Sequence, residues 1–202
     1  MLKGKQFDLI RHGEPELSGV YLGRTDCLLS EQGRLKSAEV VGENPGWDLV
    51  VSSPLQRCLE SAKWAAEKHD LELLVLDELQ EFNFGDWDGR LFESVYMEQA
   101  EWADRFWKDP EITPPPNGET IEGFIGRVDL AKQILLERKE CRVLIITHGG
   151  VIRCLLASLL GIEAKYWGRI KVDYSHFTQL RFDYANKQYW PHLLSSNCRS
   201  PL

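Results

Sequence analysis

The sequence of 202 residues can bury a full hydrophobic core, and 43% of its residues are apolar, which indicates a globular α/β protein. Its net charge of −7 and isoelectric point near 5.3 argue against a nucleic acid or an acidic membrane surface as partner. No segment approaches the ~20 consecutive apolar residues of a membrane span, and the N-terminus lacks a signal-peptide pattern, so we expect a cytoplasmic protein.

Four short apolar runs predict strands that are covered on both faces, because they lack the polar alternation of a half-exposed sheet. They are QFDLIR (6–11), WDLVVSS (47–53), ELLVLDEL (72–79) and RVLIITHGG (142–150). Helical periodicity covers 30–43, 54–70 and 149–161. Strands that alternate with helices indicate a mostly parallel central sheet, so we predict an α/β fold, a three-layer α/β/α sandwich.

Local signals place two helix starts. Ser30 is predicted to cap the helix at 30–43. For the helix at 54–70, Ser53 is predicted as the N-cap, Pro54 as the first helical residue and Gln56 as the capping-box partner.

The C-terminal part, SHFTQLRFDYANKQYW (175–190), predicts two extended segments around an Asn-Lys turn. We expect residues 1–194 to form one domain and residues 195–202 to be a loose tail. The five cysteines are odd in number and show no C-x-x-C spacing, so they predict neither a disulfide framework nor a zinc site.

One region, from about 85 to 138, breaks the alternation of strands and helices. Two helical patterns, at 93–109 and 121–138, flank a proline cluster that cannot continue a helix. We call this region the helical excursion. Its aromatic side chains either pack the excursion onto the sheet or form a lid that shapes a substrate pocket; they are Tyr96, Trp102, Phe106 and Trp107.

Basic side chains occur at three separate strand ends. Arg11 and His12 end the first predicted strand, Arg57 lies in the first helical turn after the second, and His148 lies between a strand and the glycines of the next helix. Ligands of parallel sheets collect outside the carboxyl ends of the strands, where helix N-termini also point. We therefore expect these four side chains to meet at one edge of the sheet.

Two arginines, two histidines and helix amides suit a phosphate dianion, because arginine presents planar, permanently charged forks to phosphate oxygens. One neutral imidazole could attack phosphorus, while a protonated one could donate to an oxygen that gains charge. The remaining histidines, His69, His176 and His192, are interpreted as structural or surface residues.

Five motifs, in this order, closely resemble the histidine phosphatase superfamily, the phosphoglycerate mutase-like group. They are LIRHGE (9–14), SSPLQRCLESA (52–62), EFNFGDWDG (81–89), GET (118–120) and THGG (147–150). The resemblance implies an enzyme that acts on a small phosphomonoester through a phosphohistidine intermediate. It implies no cofactor and no metal ion, and it leaves a homodimer open.

The resemblance also implies roles for single residues. His12 is the nucleophile, Arg11 and Arg57 hold the phosphoryl oxygens, and His148 completes a pocket that includes Gly149. A further motif residue, Glu81, is the proton donor to the leaving oxygen. Glu78 is its rival, although the sequence from Glu81 onward fits the motif better.

Two further stretches concern the substrate. The loop VYLGRTDCLLSEQG (20–33) resembles the family loop over the phosphate, where Gly23 allows close backbone approach and Arg24 or Thr25 can donate hydrogen bonds. Glu119 matches a family position near the pocket, where it either binds substrate or orients Arg11 or Arg57.

Departures from the mutase pattern favour a phosphatase, in which water takes the phosphoryl group. Phe84 stands where mutases carry a tyrosine, and no paired-arginine insertion follows Gly89. A cofactor-dependent phosphoglycerate mutase is therefore the weaker alternative, and specialist and broad-specificity phosphatases both stay open. Pocket walls bearing Tyr21, Phe84 and Trp87 would suit a flat, partly apolar nucleoside phosphate.

Overall fold

The computed structural model describes residues 4–201, and within them six strands form one sheet with helices on both faces. The strands are β1 (Lys5–Arg11), β2 (Leu49–Ser52), β3 (Leu73–Val75), β4 (Arg142–Thr147), β5 (Phe177–Ala185) and β6 (Gln188–Cys198). The helices are α1 (Glu31–Val40), α2 (Gln56–His69), α3 (Phe92–Lys108), α4 (Ile121–Glu137) and α5 (Gly149–Leu160). Short 3₁₀ turns lie at Asp77–Leu79, Gly85–Trp87 and Ala164–Arg169.

The strand order is β3-β2-β4-β1-β5-β6. The pairs β2–β3, β2–β4 and β1–β4 are parallel, whereas β5 and β6 are added in antiparallel fashion. The predicted three-layer sandwich with a mostly parallel sheet is confirmed. Because β1 and β4 are parallel neighbours inside the sheet, whatever follows their carboxyl ends lies at the same edge.

Both faces of the central strands are buried, as their continuous apolar sequences predict. Leu9 packs on one face with apolar residues of α4 and α5, while Ile10 packs on the opposite face with residues of α2. Among the described helices, none is long and apolar enough to cross a membrane.

Two element boundaries differ from the sequence predictions. Helix α2 begins at Gln56, so its N-cap is Leu55 and the predicted cap at Ser53 is wrong. Asp26 Oδ1, from outside the helix, accepts from Gln56 N at 2.8 Å. Strand β3 covers only Leu73–Val75 of the predicted 72–79, since it is an edge strand that pairs with β2 alone. The predicted cap of α1 is confirmed, because Ser30 Oγ accepts from Gly33 N at 3.0 Å.

The predicted hairpin is confirmed, and its two-residue turn has positive φ at Asn186 and Lys187. The predicted loose tail at 195–202 is wrong for residues 195–198, which end strand β6. Side chains fix this end: Ser195 Oγ donates to Gln179 Oε1 at 3.0 Å, and Asn197 Nδ2 donates to Asp173 Oδ2 at 2.9 Å.

The helical excursion contains α3 and α4, as predicted. The segments before and after α3 are joined by two backbone hydrogen bonds, from Asp86 N to Pro116 O and from Glu119 N to Asn83 O, both at 2.9 Å. We call this pair of contacts, at 83–86 and 116–119, the neck of the excursion. Gly85 at the neck has a φ of 55°, and a Cβ there would lie 2.2 Å from Pro116 O. Only glycine permits this close approach.

Candidate active site

The strand ends bring the predicted basic residues together. His12 follows β1 and His148 follows β4, and their ring centroids lie 5.1 Å apart. The guanidinium of Arg57, in the first turn of α2, reaches His148 Nδ1 from Nε at 3.3 Å. Arg11 ends β1 beside them.

His12 is buried and held in one tautomer. Its Nδ1 lies 2.7 Å from Gly13 O, and since a carbonyl oxygen only accepts, Nδ1 carries the proton. Burial, followed by the charges of Arg57 and Arg11, holds the pKa of His12 well below its usual range. The free lone pair of a neutral imidazole is therefore at Nε2.

His148 is also buried, and its surroundings favour the neutral imidazole. Burial lowers its pKa most strongly, and the charge of Arg57 lowers it further. The Arg57 guanidinium only donates, so Nδ1 of His148 accepts and Nε2 donates to Ser53 Oγ at 2.8 Å. Protonation of His148 needs the negative charge that a phosphate dianion would bring.

Arg57 is fully buried and binds two backbone carbonyls of the loop at 20–33. Besides His148, its guanidinium donates to Gly23 O at 2.7 Å and to Thr25 O at 2.9 Å. A Cβ on Gly23 would lie 2.2 Å from Phe82 O, so only glycine fits there.

The backbone donors of this loop at Arg24 and Thr25 have protein partners, whereas Arg24 Nε is buried and has none among the described residues. Asp88 Oδ2 accepts from Arg24 N at 2.7 Å and Asp88 Oδ1 accepts from Thr25 N at 2.8 Å. The Arg24 side chain donates to Gln80 Oε1. Asp88 lies inside the motif at 81–89. Its hydrogen bonds to the loop could not be predicted from the sequence, because Asp88 is more than 60 residues from Arg24 and Thr25 in the chain.

The Arg11 guanidinium is only partly paired with protein groups. Its Nη1 donates to Val172 O at 2.7 Å and its Cζ lies 3.7 Å from the centroid of the Tyr174 ring. Its Nε is buried and, among the described residues, has no hydrogen-bond partner. An unpaired buried donor costs about 1–3 kcal/mol, which an anion accepting from it would recover. Gly149 leaves room for this guanidinium, since a Cβ there would lie 3.3 Å from Arg11 Nε.

Glu81 lies against the N-terminus of α5. Its Oε2 accepts from Gly150 N at 3.0 Å and its Oε1 accepts from Phe82 N at 2.9 Å. A Cβ on Gly150 would lie 2.1 Å from Oε1, so the carboxylate depends on that glycine. The rival, Glu78, does not line the cleft that Glu81 lines.

Glu119 contacts neither Arg11 nor Arg57. Its carboxylate is held by Arg127 of α4, with Nε to Oε1 at 2.6 Å and Nη2 to Oε2 at 2.9 Å, and it also accepts from Asn83 N at 3.2 Å. Sequence reasoning missed Arg127, because an arginine within an amphipathic helix carries no signal of its own.

A cleft of about 310 Å³ opens beside Glu81. Aromatic side chains of the excursion form much of its wall, and Arg153 is a partly buried cation in it, with Nε donating to Ile170 O at 2.9 Å. The residues that line it are Glu81, Phe82, Phe84, Phe106, Trp107, Pro110, Ile121, Phe124, Gly150, Arg153, Ala164, Lys165, Trp167 and Gly168.

The predicted pocket walls are partly wrong. Phe84 lines the cleft, but Tyr21 and Trp87 are only 1% and 0% exposed and belong to the core. The aromatic residues of the excursion were expected either to pack onto the sheet or to shape a pocket, and both occur. Phe106 is buried in the core and also lines the cleft, while Trp107 lines the cleft with half of its surface exposed.

A larger cavity, of about 680 Å³, lies between α1, residues 174–176 and residues 199–201. None of the predicted site residues lines it, so the smaller cleft is the candidate substrate site. Across residues 4–201, no three His, Cys, Asp or Glu side chains are grouped as metal ligands would be.

Comparison with known proteins gives a consistent result. The family model of the histidine phosphatase superfamily (branch 1) matches residues 7–190. An adenosylcobalamin/alpha-ribazole phosphatase of Salmonella typhimurium is 32% identical over 82% of this chain and 84% of its own. Phosphoserine phosphatase 1 of Hydrogenobacter thermophilus is 30% identical over 79% and 78%. The crystal structure of the alpha-ribazole phosphatase from Shigella flexneri superposes with a TM-score of 0.84, at 28% identity, over 96% and 97%.

Proposed function

Because this chain belongs to the histidine phosphatase superfamily and is a phosphatase, we propose that His12 is its nucleophile and that α-ribazole 5′-phosphate is its substrate. The observation that carries the first part is the hydrogen bond from His12 Nδ1 to Gly13 O. It leaves Nε2 as a neutral nucleophile beside Arg11 and Arg57.

In the first half-reaction, His12 Nε2 forms a bond to phosphorus while the ester P–O bond breaks. Arg11 Nε, which has no partner among the described residues, and the remaining N–H groups of Arg57 bind the phosphoryl oxygens. Gly149 opens α5, whose N-terminus adds favourable charge for the anion. His148 takes up a proton as the dianion binds and then donates to an oxygen.

Glu81 gives a proton to the departing alkoxide oxygen, so it must be protonated when the substrate is bound. The alcohol then leaves through the cleft that Glu81 lines. In the second half-reaction, Glu81 accepts a proton from water as the water oxygen attacks phosphorus. The N–P bond breaks, and inorganic phosphate is released from a regenerated His12.

We propose that no metal ion takes part, since Arg11, Arg57 and a protonated His148 can together balance the charge of the transferring group. Activity should persist unchanged after dialysis against EDTA. Loss of activity that added Mg²⁺ or Zn²⁺ restores would contradict this mechanism.

The remaining sequence expectations stand as proposals too. We propose one catalytic domain that includes β6 to its end at Cys198, and a cytoplasmic location. The free state of all five cysteines supports that location, because reducing compartments keep thiols unpaired.

The aromatic cleft supports the substrate proposal. Phe84, Phe106 and Trp107 line the cleft together with Glu81, and a flat nucleoside base could stack against these rings once its 5′-phosphate lies at His12. The similarity to two proteins named as alpha-ribazole phosphatases points to the same nucleotide. The phosphoserine phosphatase among the relatives favours a second candidate, an enzyme of broad specificity.

A substrate panel tests the choice. We expect a higher kcat/KM for α-ribazole 5′-phosphate than for phosphoserine or 3-phosphoglycerate. Trp107→Ala should lower this preference by weakening the aromatic substrate alone, whereas Trp190→Ala, at an exposed tryptophan on β6, should leave it unchanged. Similar values for all three esters in the wild type would establish the broad-specificity alternative. Mutase activity on 3-phosphoglycerate that needs 2,3-bisphosphoglycerate would contradict the phosphatase assignment itself.

A further inference from the structure

Side chains donate hydrogen bonds to every backbone carbonyl from Glu78 to Glu81, the proposed acid. Arg127 donates to the carbonyl oxygens of Glu78, Gln80 and Glu81 at 2.7, 2.6 and 2.9 Å. Thr147 Oγ1 donates to the remaining one, Leu79 O, at 2.9 Å. Four successive carbonyls therefore depend on two side chains, and three of the four depend on Arg127.

Arg127 uses its full hydrogen-bonding capacity at this place. A guanidinium has five N–H donors, and five bonds are formed: three to the carbonyls and two to Glu119. The side chains of Arg127 and Glu119 are only 15% and 14% exposed. Such a partly buried, bidentate pair fixes the plane of the guanidinium, which a flexible lysine with three donors could not reproduce.

The clamp formed by Arg127 and Glu119 acts on Glu81 from the backbone side. On the side-chain end, the Glu81 carboxylate accepts from Gly150 N at the start of α5, the helix that follows His148. Glu119 also accepts from Asn83 N, two residues after Glu81. The position of the carboxyl group relative to the phosphate site is thus set by contacts on both sides.

We propose that Arg127 is a positioning residue for proton transfer by Glu81, with Glu119 holding its guanidinium in place. This inference rests on the proposed role of Glu81 as the acid. It assigns Glu119 to the clamp rather than to the substrate. The clamp contributes to the rate through geometry, because misplacing a reacting group by about 1 Å can cost about 100-fold.

Packing of the helix does not require the clamp. The apolar face of α4 is buried through Phe124, Val128 and Leu135, each only 1% exposed. The Arg127 guanidinium lies 4.6 Å from the centroid of the Phe124 ring, and because a lysine also carries a cation on a long apolar stem, we expect Arg127→Lys to keep this packing. A purely structural role would lower the stability and slow all substrates alike. A positioning role predicts a loss that depends on how much the leaving group needs a proton.

The test compares two substrates by kcat/KM, which reports the phosphorylation step. An alkyl phosphate needs the proton, while p-nitrophenyl phosphate releases a stable phenolate without one. We expect Arg127→Lys to slow the alkyl ester by about 10- to 100-fold and p-nitrophenyl phosphate by only a few-fold. Glu119→Gln, which keeps its size but removes the charge, should give a smaller loss with the same substrate dependence.

Glu81→Gln and the double variant complete the experiment. Once the acid is removed, Arg127→Lys should cause almost no further loss on the alkyl ester, because both changes act on one proton transfer. Arg138→Lys is the matched control: this arginine follows α4 and pairs with buried Glu140, but it lies away from Glu81. It should leave both kcat/KM values unchanged.

The possible failures are distinguishable. Equal losses on both substrates in Arg127→Lys and Glu119→Gln, or no loss, would overturn the positioning role while Glu81→Gln still discriminates between the substrates. Equal losses on both substrates in Glu81→Gln would instead overturn the acid assignment and the inference with it. Thermal unfolding of each variant shows whether a loss of rate follows a loss of folded protein.

Discussion

The two halves of the site are built differently. The phosphate half lies at the ends of the central strands β1 and β4, where His12 is 4% exposed and His148 and Arg57 are 0% exposed. The leaving-group half consists of a loop ending at Glu81 and of excursion residues such as Trp107, which is 51% exposed. Any phosphomonoester needs the first half unchanged, whereas only the alcohol contacts the second. In the proposed mechanism, the buried half of the site therefore carries the general chemistry and the more exposed half carries the choice of substrate.

The largest effect should come from the phosphate half. We expect His12→Ala to lower kcat by about 10⁴-fold or more, because no other group supplies the nucleophile. Rapid quenching with ³²P-labelled substrate should trap an acid-labile, base-stable adduct on the wild type alone. His192→Ala, at an exposed histidine of β6, should retain both activity and adduct. Equal labelling of His12→Ala would place the nucleophile elsewhere.

A smaller effect on kcat/KM is expected when Gly150 is replaced, because this change should disturb the leaving-group half and not the phosphate half. The added Cβ of Gly150→Ala would lie 2.1 Å from Glu81 Oε1 and must displace the carboxylate. We expect about a 10- to 100-fold lower kcat/KM for an alkyl phosphate, with p-nitrophenyl phosphate less affected.

Gly126→Ala is the matched control for that variant, since a Cβ at this position of α4 meets nothing within 4 Å. It should retain full activity. If Gly150→Ala slows both esters equally, the two halves are not separable in this way.

The smallest effect concerns stability. The pKa of buried His12 lies well below 6.5, so the unfolded chain takes up a proton below pH 6.5 that the folded protein does not. The free energy of unfolding should therefore fall as the pH falls from 6.5 toward the lowered pKa, by about 1.4 kcal/mol per pH unit for this histidine. His12→Asn should remove this contribution to the pH dependence of the free energy of unfolding, which urea unfolding at successive pH values measures. Parallel curves for variant and wild type would show that His12 titrates normally.

The sequence predicted the two halves unequally for a physical reason. Arg11, His12 and His148 lie within a residue of strand ends, so local sequence and sheet geometry were enough to bring them together. The partners of Asp88 and Arg127 are distant in sequence and are fixed only by tertiary packing.

Aromatic residues were harder to place for the same reason. Trp87 and Trp107 look equally suited to a pocket wall in the sequence, yet packing buries the first in the core and leaves the second in the cleft. The tail at 195–202 was misassigned because its polar residues gave no strand signal, although Ser195 and Asn197 use those polar groups to hold β6 in place.

The neck of the excursion has a consequence for how such a protein can diversify. Because Glu119 N donates to Asn83 O and Asp86 N donates to Pro116 O, the two ends of the segment 86–116 lie next to each other. Closing a longer loop across a fixed gap costs little, about 0.6 kcal/mol for each doubling of its length. Insertions and deletions near the exposed Glu111 and Ile112 should therefore be tolerated while the neck persists and Trp87, Asp88 and Phe106 keep their contacts. The length of this segment can then change above an unchanged phosphate pocket.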